Sequence, residues 1–137
     1  MKNKIVVQKY GGTSIGDVEK LKAIAKKVSD KKEAGFFPIV VVSAMGKSTD
    51  ELVRMSEEVT FNEKAPDLRE KDTLLSTGEL VSSTLLAISI KSLDKKVISL
   101  SGSQAGITTD DIHGSARISD INTSRICLLY TSDAADD

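Results

Sequence analysis

An open, mostly parallel α/β sheet with helices on both faces is the fold that this 137-residue sequence predicts. Three observations carry that expectation. Runs rich in β-branched residues recur at 5–9, 39–42 and 96–100, the composition of strands buried in a parallel sheet. Between them the apolar spacing changes to that of a helix, and glycine-bearing turns rather than a linker join the pieces. Strands that alternate with helices need right-handed crossovers, and such crossovers make the sheet parallel.

The first unit reads as strand, glycine turn, helix. After residues 5–9, Gly11, Gly12 and Gly16 punctuate the chain, and a helical period begins at Asp17. Val18, Leu21, Ala25 and Val28 share one face, Lys20, Lys22, Lys26 and Lys27 take the other, and Gly35 closes the unit. Pro38 opens Ile39, Val40, Val41 and Val42, a run suited to burial on both faces. A second turn follows at Ser43, Ala44, Met45 and Gly46. Ser48 with Glu51 three residues later forms a capping-box pattern, and Leu52, Met55 and Val59 continue at helical spacing. Residues 62–72 are polar, contain Pro66, and read as a loop leading into a short helix. Leu80, Val81, Leu85, Leu86, Ile88 and Ile90 leave almost no polar face, which predicts a helix covered on most sides. Residues 96–100 read as a third strand.

Composition excludes several classes. Hydrophobic residues at 39% and charged residues at 28% are ordinary globular usage, so a disordered or collagen-like chain is ruled out. Lys plus Arg number 19 and Asp plus Glu 20, so no charge excess points to nucleic acid or an anionic membrane surface. Trp is absent and aromatic residues are 4%, leaving few platforms for base stacking. One cysteine cannot form an internal disulfide, and no Cys/His cluster has the ligand count of a zinc site, so no metal site is expected. Lys2 and Lys4 precede too few apolar residues for a signal peptide, which predicts a cytoplasmic protein. The stretch 74–90 carries Gly78, Glu79 and six Ser/Thr, and on that ground it is not expected to span a membrane.

Lys9, Tyr10, Gly11, Gly12, Thr13 and Ser14 sit where a strand ends and a helix is about to begin. Glycines there let backbone N–H groups approach an anion, and a helix amino terminus adds a favourable dipole. The order matches neither a Walker P-loop nor a Rossmann fingerprint, and a plain tight turn with a solvated Lys9 fits the same residues. Residues 43–46 repeat the arrangement after the second strand, at the carboxyl edge where open parallel sheets bind ligands. Ser43 and Thr49 offer hydroxyls, while Ser48 reads as a helix cap. Glu79 is the only charge between Leu74 and Ile90. It fits either a partner for a cationic ligand group or a first-turn carboxylate on a helix dipole. Gly78 before it permits close backbone approach. His113, the only histidine, reads as a solvated loop residue.

Four stretches in order resemble the motifs of the aspartate kinase family: Lys-Tyr-Gly-Gly-Thr-Ser at 9–14; Val-Ser-Ala-Met-Gly at 42–46 with Thr49 and Asp50; Leu-Ser-Thr-Gly-Glu at 75–79; and Gly-Ser-Gln-Ala-Gly at 102–106 leading to His-Gly-Ser-Ala-Arg at 113–117. The resemblance, from about residue 5 to 126, implies an amino-acid-kinase fold and phosphoryl transfer from ATP to the side-chain carboxylate of L-aspartate. That reaction gives 4-phospho-L-aspartate, for lysine, threonine and methionine synthesis. It implies Lys9 at the transferring phosphoryl group, Tyr10, Gly11, Gly12 and Ser43 on the ATP side, and Thr49 and Glu79 on the aspartate side. Mg2+ would be held by the ATP phosphates, and the complete enzyme would be a homo-oligomer. The family's following glycine-rich segment, nucleotide-binding half and regulatory ACT domains do not occur here. The chain thus resembles an incomplete, amino-terminal part of such a domain, inactive by itself. The alternatives are an amino-acid kinase acting on glutamate or a nucleoside monophosphate, or a non-catalytic partial domain.

Residues 127–137 stand apart from the domain at 1–126. They hold the only Cys, one of two Tyr, and three Asp with no base. Cys-Leu-Leu-Tyr-Thr-Ser-Asp-Ala-Ala-Asp is encoded by TGT CTC TTA TAC ACA TCT GAC GCT GCC GAC, a string resembling the transposon mosaic end and primer of library preparation. The stretch therefore reads as foreign adapter read-through, and lacking an amphipathic period it is expected to be disordered or frayed.

Overall fold

The structure, a computed structural model, describes residues 4–135. Strand β1 (Lys4–Tyr10) and strand β2 (Phe36–Val42) pair in parallel, from Lys4 opposite Phe36 to Tyr10 opposite Val42. Helix α1 (Val18–Glu33) makes the crossover between them. Asp17 starts it by accepting a 2.8 Å bond from the Lys20 amide, and Gly35, at φ +89°, ends it. Helix α2 (Ser48–Glu58) follows β2, and helix α3 (Leu68–Lys91) begins at Asp67, whose carboxylate accepts from the Glu70 amide at 3.0 Å.

The core forms where α1 and α3 lie together on one face of the strand pair. Ile15, Leu21, Ile24, Ala25, Val28, Leu86 and Ile90 are its buried members, joined by Tyr10, Val40 and Val42 from the strands. Side chains alternate along a strand, so Ile5, Val7 and Val41 emerge on the opposite face, where they are exposed. The sequence predicts helices over both faces. On that second face Tyr130 lies edge-on to Phe37, with ring centroids 5.0 Å apart, and the Lys32 ammonium lies 5.5 Å from the centroid of the same ring.

Gln8 points inward among these apolar groups, and its buried Oε1 has no hydrogen-bond partner among the described residues. An orphaned buried acceptor costs more than an apolar replacement of similar shape. Gln8→Met is therefore expected to stabilise the chain by about 1 kcal/mol, read as a higher urea midpoint; a lower midpoint would show that Gln8 has a partner.

Several expectations need correction. The short helix after the 62–72 loop and the apolar helix beyond it are one continuous 24-residue helix, α3. Its Ser and Thr residues do not interrupt it because their hydroxyls return to the helix's own carbonyls, as Ser76 does to Thr73 at 2.7 Å and Thr84 to Leu80 at 2.7 Å. By length and composition alone α3 is long and apolar enough to cross a membrane, contrary to the sequence reading; Gly78, Ser82, Leu86, Ala87 and Ile90 are nevertheless buried by protein. Nor is α3 covered on most sides: only α1, α2 and β2 pack on it appreciably, leaving Leu80 47%, Val81 52% and Ile88 64% exposed.

Residues 96–100 form no strand. Val97 packs on the core, yet an extended segment becomes a strand only when a neighbour takes its N–H and C=O groups. The Lys95 ammonium, 2.8 Å from Glu33, ties this segment to the end of α1 and holds the Glu33 carboxyl below its usual range. The chain then forms an antiparallel hairpin that the sequence pattern does not signal, β3 (Ile107–Thr109) and β4 (Ile118–Ile121).

Finally, 127–135 is helical, within α4 (Ser124–Ala135). Asn122 Oδ1 accepts from the Ser124 amide at 3.0 Å and the Thr123 carbonyl from the Cys127 amide at 2.9 Å, which starts the helix; Tyr130 gains its contact with Phe37. Residues 136 and 137 lie outside the described residues.

Candidate active site

Because Tyr10 pairs with Val42, both strands end at one edge, and the two glycine turns leave it side by side. Backbone bonds join them: the Ser43 amide donates to the Tyr10 carbonyl at 3.2 Å, and the Gly46 amide to the Gly12 carbonyl at 3.0 Å. The first turn is closed on itself by the Ser14 amide and the Gly11 carbonyl at 3.0 Å, and buried Ile15 anchors it in the core. Gly46, at φ +52°, adopts a conformation that side-chain-bearing residues rarely hold.

The helix dipole belongs to the second turn and not to the first. Residues 11–17 separate β1 from α1, and the Asp17 carboxylate already occupies the amino terminus of that helix. α2 differs. Its cap residue is Lys47, no side chain caps its amides, and Ser48 is the first helical residue, so the expected capping box does not form. The Ser48 amide instead bonds the Met45 carbonyl at 2.9 Å and the Glu51 amide the Lys47 carbonyl at 3.1 Å, so both amides of the expected box have backbone partners. Thr49 is exposed on this uncapped first turn, where N–H groups and dipole favour an anion.

α3 meets the second turn at Gly78. A Cβ at that position would lie 2.9 Å from the Ala44 Cβ, so only glycine permits this approach. Glu79 is the next residue, exposed in the middle of α3, and no ion pair or hydrogen bond engages its carboxylate among the described residues. The first-turn alternative for Glu79 is thereby excluded. Between α2 and α3 runs an open groove of about 230 Å³, lined by Met45, Ser48, Glu51, Leu52, Thr77 and Gly78 among others.

Gly11, Gly12, Ser43 and Thr49 thus come to one edge, and α3 meets the second turn there at Gly78, the residue before Glu79. Lys9 lies one residue before that edge, exposed, on the face of β1 away from the core. The Tyr10 side chain packs on the core, so what Tyr10 offers the turn is its carbonyl. His113 is not merely solvated: its Nδ1 lies 3.4 Å from Asp72 Oδ2, which also accepts from the Gly114 amide at 2.9 Å, lashing the loop between β3 and β4 to α3. Sequence reasoning misses Asp72 and Ala44. Asp72 meets its partners from more than forty positions away, which no local pattern encodes; Ala44 is legible only as a small residue between Ser43 and Met45. Among the described residues no group of three or more His, Cys, Asp or Glu side chains could hold a metal ion.

Comparison with known proteins accords with this arrangement. The model of the amino acid kinase family matches residues 4–132. The aspartokinase of Geobacillus stearothermophilus is 50% identical over 126 residues, covering 90% of this chain and 30% of that protein. Aspartokinase 2 of Bacillus subtilis is 48% identical over 120 residues, covering 88% and 29%. A crystal structure of aspartate kinase from Synechocystis superposes with a TM-score of 0.66 at 46% identity, over 71% of this chain and 16% of that one. The chain spans about 30% of the length of the curated relatives it matches. With the family match running over nearly all of its residues, the chain belongs to the amino acid kinase family.

Proposed function

We propose that the protein to which this segment belongs transfers the γ-phosphoryl group of Mg-ATP to the side-chain carboxylate of L-aspartate, giving 4-phospho-L-aspartate for lysine, threonine and methionine synthesis. The observation that carries this reading is the pair of glycine turns bonded together at one sheet edge, with α3 packed on the second turn at Gly78, next to Glu79. Identity of 43% to 50% to proteins named aspartokinase supports the choice of aspartate.

In this reading Gly11 and Gly12 give backbone donors to the phosphates, Tyr10 shapes the turn through its carbonyl, and Ser43 lies on the nucleotide side. Lys9 neutralises charge on the transferring group. Thr49 and the uncapped start of α2 receive a carboxylate of aspartate, and Glu79 receives its ammonium. One carboxylate oxygen attacks the γ-phosphorus as the bond to the ADP oxygen breaks. The nucleophile is already ionised, so the protein's task is positioning and charge stabilisation, without a catalytic His or Cys. Mg2+ rides on the ATP phosphates.

The same reading makes the parent a cytoplasmic homo-oligomer with no nucleic-acid or membrane partner, and the present segment inactive without the remainder. It assigns 1–126 to the kinase domain and 127–137 to adapter read-through. A genomic sequence encoding these last eleven residues in frame at the source locus would overturn that assignment. For the function, ATP turnover by the full-length protein is expected to depend on L-aspartate; equal or greater turnover with L-glutamate or a nucleoside monophosphate would assign it to another amino-acid kinase.

A further inference from the structure

Ala44 touches both halves of the site. It is 4% exposed. Its carbonyl oxygen would lie 2.8 Å from a Cβ at position 12, and its own Cβ would lie 2.9 Å from a Cβ at position 78. Carbon atoms in contact normally keep about 3.5 to 4.0 Å, so neither glycine can take a side chain while Ala44 stays where it is. The phosphate-side turn, the second turn and helix α3 therefore meet at one residue, through its carbonyl at Gly12 and its methyl at Gly78, and the Gly46-to-Gly12 hydrogen bond locks the two turns together.

We propose that Ala44 is a positioning residue, and that its contacts with Gly12 and Gly78 set the distance between the phosphoryl subsite and the Glu79 carboxylate. This rests on the proposed function, in which Glu79 holds the ammonium of aspartate. The two contacts differ in kind, and the difference makes the proposal testable. At Gly78 the obstruction is the Ala44 Cβ, which Ala44→Gly removes; the next neighbour of a new Cβ would be Leu52 Cδ1 at 3.7 Å, an ordinary contact. At Gly12 the obstruction is a backbone carbonyl, which no substitution at 44 removes.

The test uses the full-length enzyme carrying this segment, with steady-state kinetics in both substrates. Gly78→Ala is expected to raise the KM for aspartate by about tenfold or more, as displacement of a positioning group by a fraction of an ångström does, with the KM for ATP within about twofold. Adding Ala44→Gly is expected to return the aspartate KM to within about threefold of wild type. The same addition is expected to leave Gly12→Ala impaired. If Gly78→Ala does not fold, the A44G/G78A enzyme still decides: near-normal kinetics support the proposal, and a protein as damaged as the single variant overturns it. Wild-type KM values in Gly78→Ala, or rescue of Gly12→Ala by Ala44→Gly, also overturn it. Failure of the aspartate reading is separable: wild type would then lack aspartate-dependent turnover, while melting temperatures would still report whether Ala44→Gly relieves Gly78→Ala.

Discussion

Lys9→Ala is expected to lower turnover of the full-length enzyme by about 100-fold or more, the scale of losing one positioned charge on a transferring group. The melting temperature should hardly change, because the Lys9 side chain is exposed and β1 is held through its ladder with β2 and through inward-facing Tyr10. The expectation follows from placement. Lys9 stands one residue before the edge at which Gly11, Gly12 and Ser43 converge, and its stem is long enough to carry the ammonium past that edge. The check is kcat at saturating ATP and aspartate, with a melting curve beside it. Near-normal kcat would return Lys9 to a solvated residue beside a tight turn.

Glu79→Gln should weaken aspartate binding by about 1.5 to 3 kcal/mol, the worth of a hydrogen bond to a charged group, and leave the ATP KM within a few-fold. Gln keeps the shape and removes the charge. Glu79 has no partner to lose among the described residues, so folding should be unaffected and the loss should fall on the ligand that carries a cation. Equal weakening toward both substrates would instead contradict the placement of Glu79 at the ammonium of aspartate.

The parts of this fold that are legible in the sequence are those governed by local chemistry. Residues 5–9 and 39–42 read as strands, the glycines after them as turns, and the face formed by Val18, Leu21, Ala25 and Val28 as buried; each is so except Val18, which is exposed at the start of α1. Where the outcome depends on a distant neighbour, local chemistry is silent. Residues 96–100 have strand composition and even pack Val97 on the core, but no ladder forms on them. Ser48 and Glu51 spell a capping box, yet the Met45 carbonyl takes the Ser48 amide first. Gly78 and the hydroxyl residues around it are poor helix interior residues on average, yet α3 runs through them unbroken. Packing of Gly78 on Ala44 and hydroxyl bonds to preceding carbonyls override that average.

The same division holds for the candidate site. Lys9, Gly11, Gly12, Ser43 and Thr49 can be placed near the carboxyl edge from sequence because a strand-turn-helix unit puts them there whatever lies beyond. Glu79 stands out by its solitude in an apolar stretch, although nothing local fixes its place in mid-helix. The contacts that hold the pieces in relation to one another, Ala44 with Gly12 and Gly78 and Asp72 with Gly114, exist only once the chain has folded.

The most direct measurement is the identity of the acyl phosphate. Full-length enzyme incubated with Mg-ATP, L-aspartate and hydroxylamine should yield the side-chain hydroxamate of aspartate, identified by mass spectrometry, in proportion to the ADP released. The α-carboxyl hydroxamate, a preferred glutamate product, or ADP release with no trapped acyl group would contradict the account.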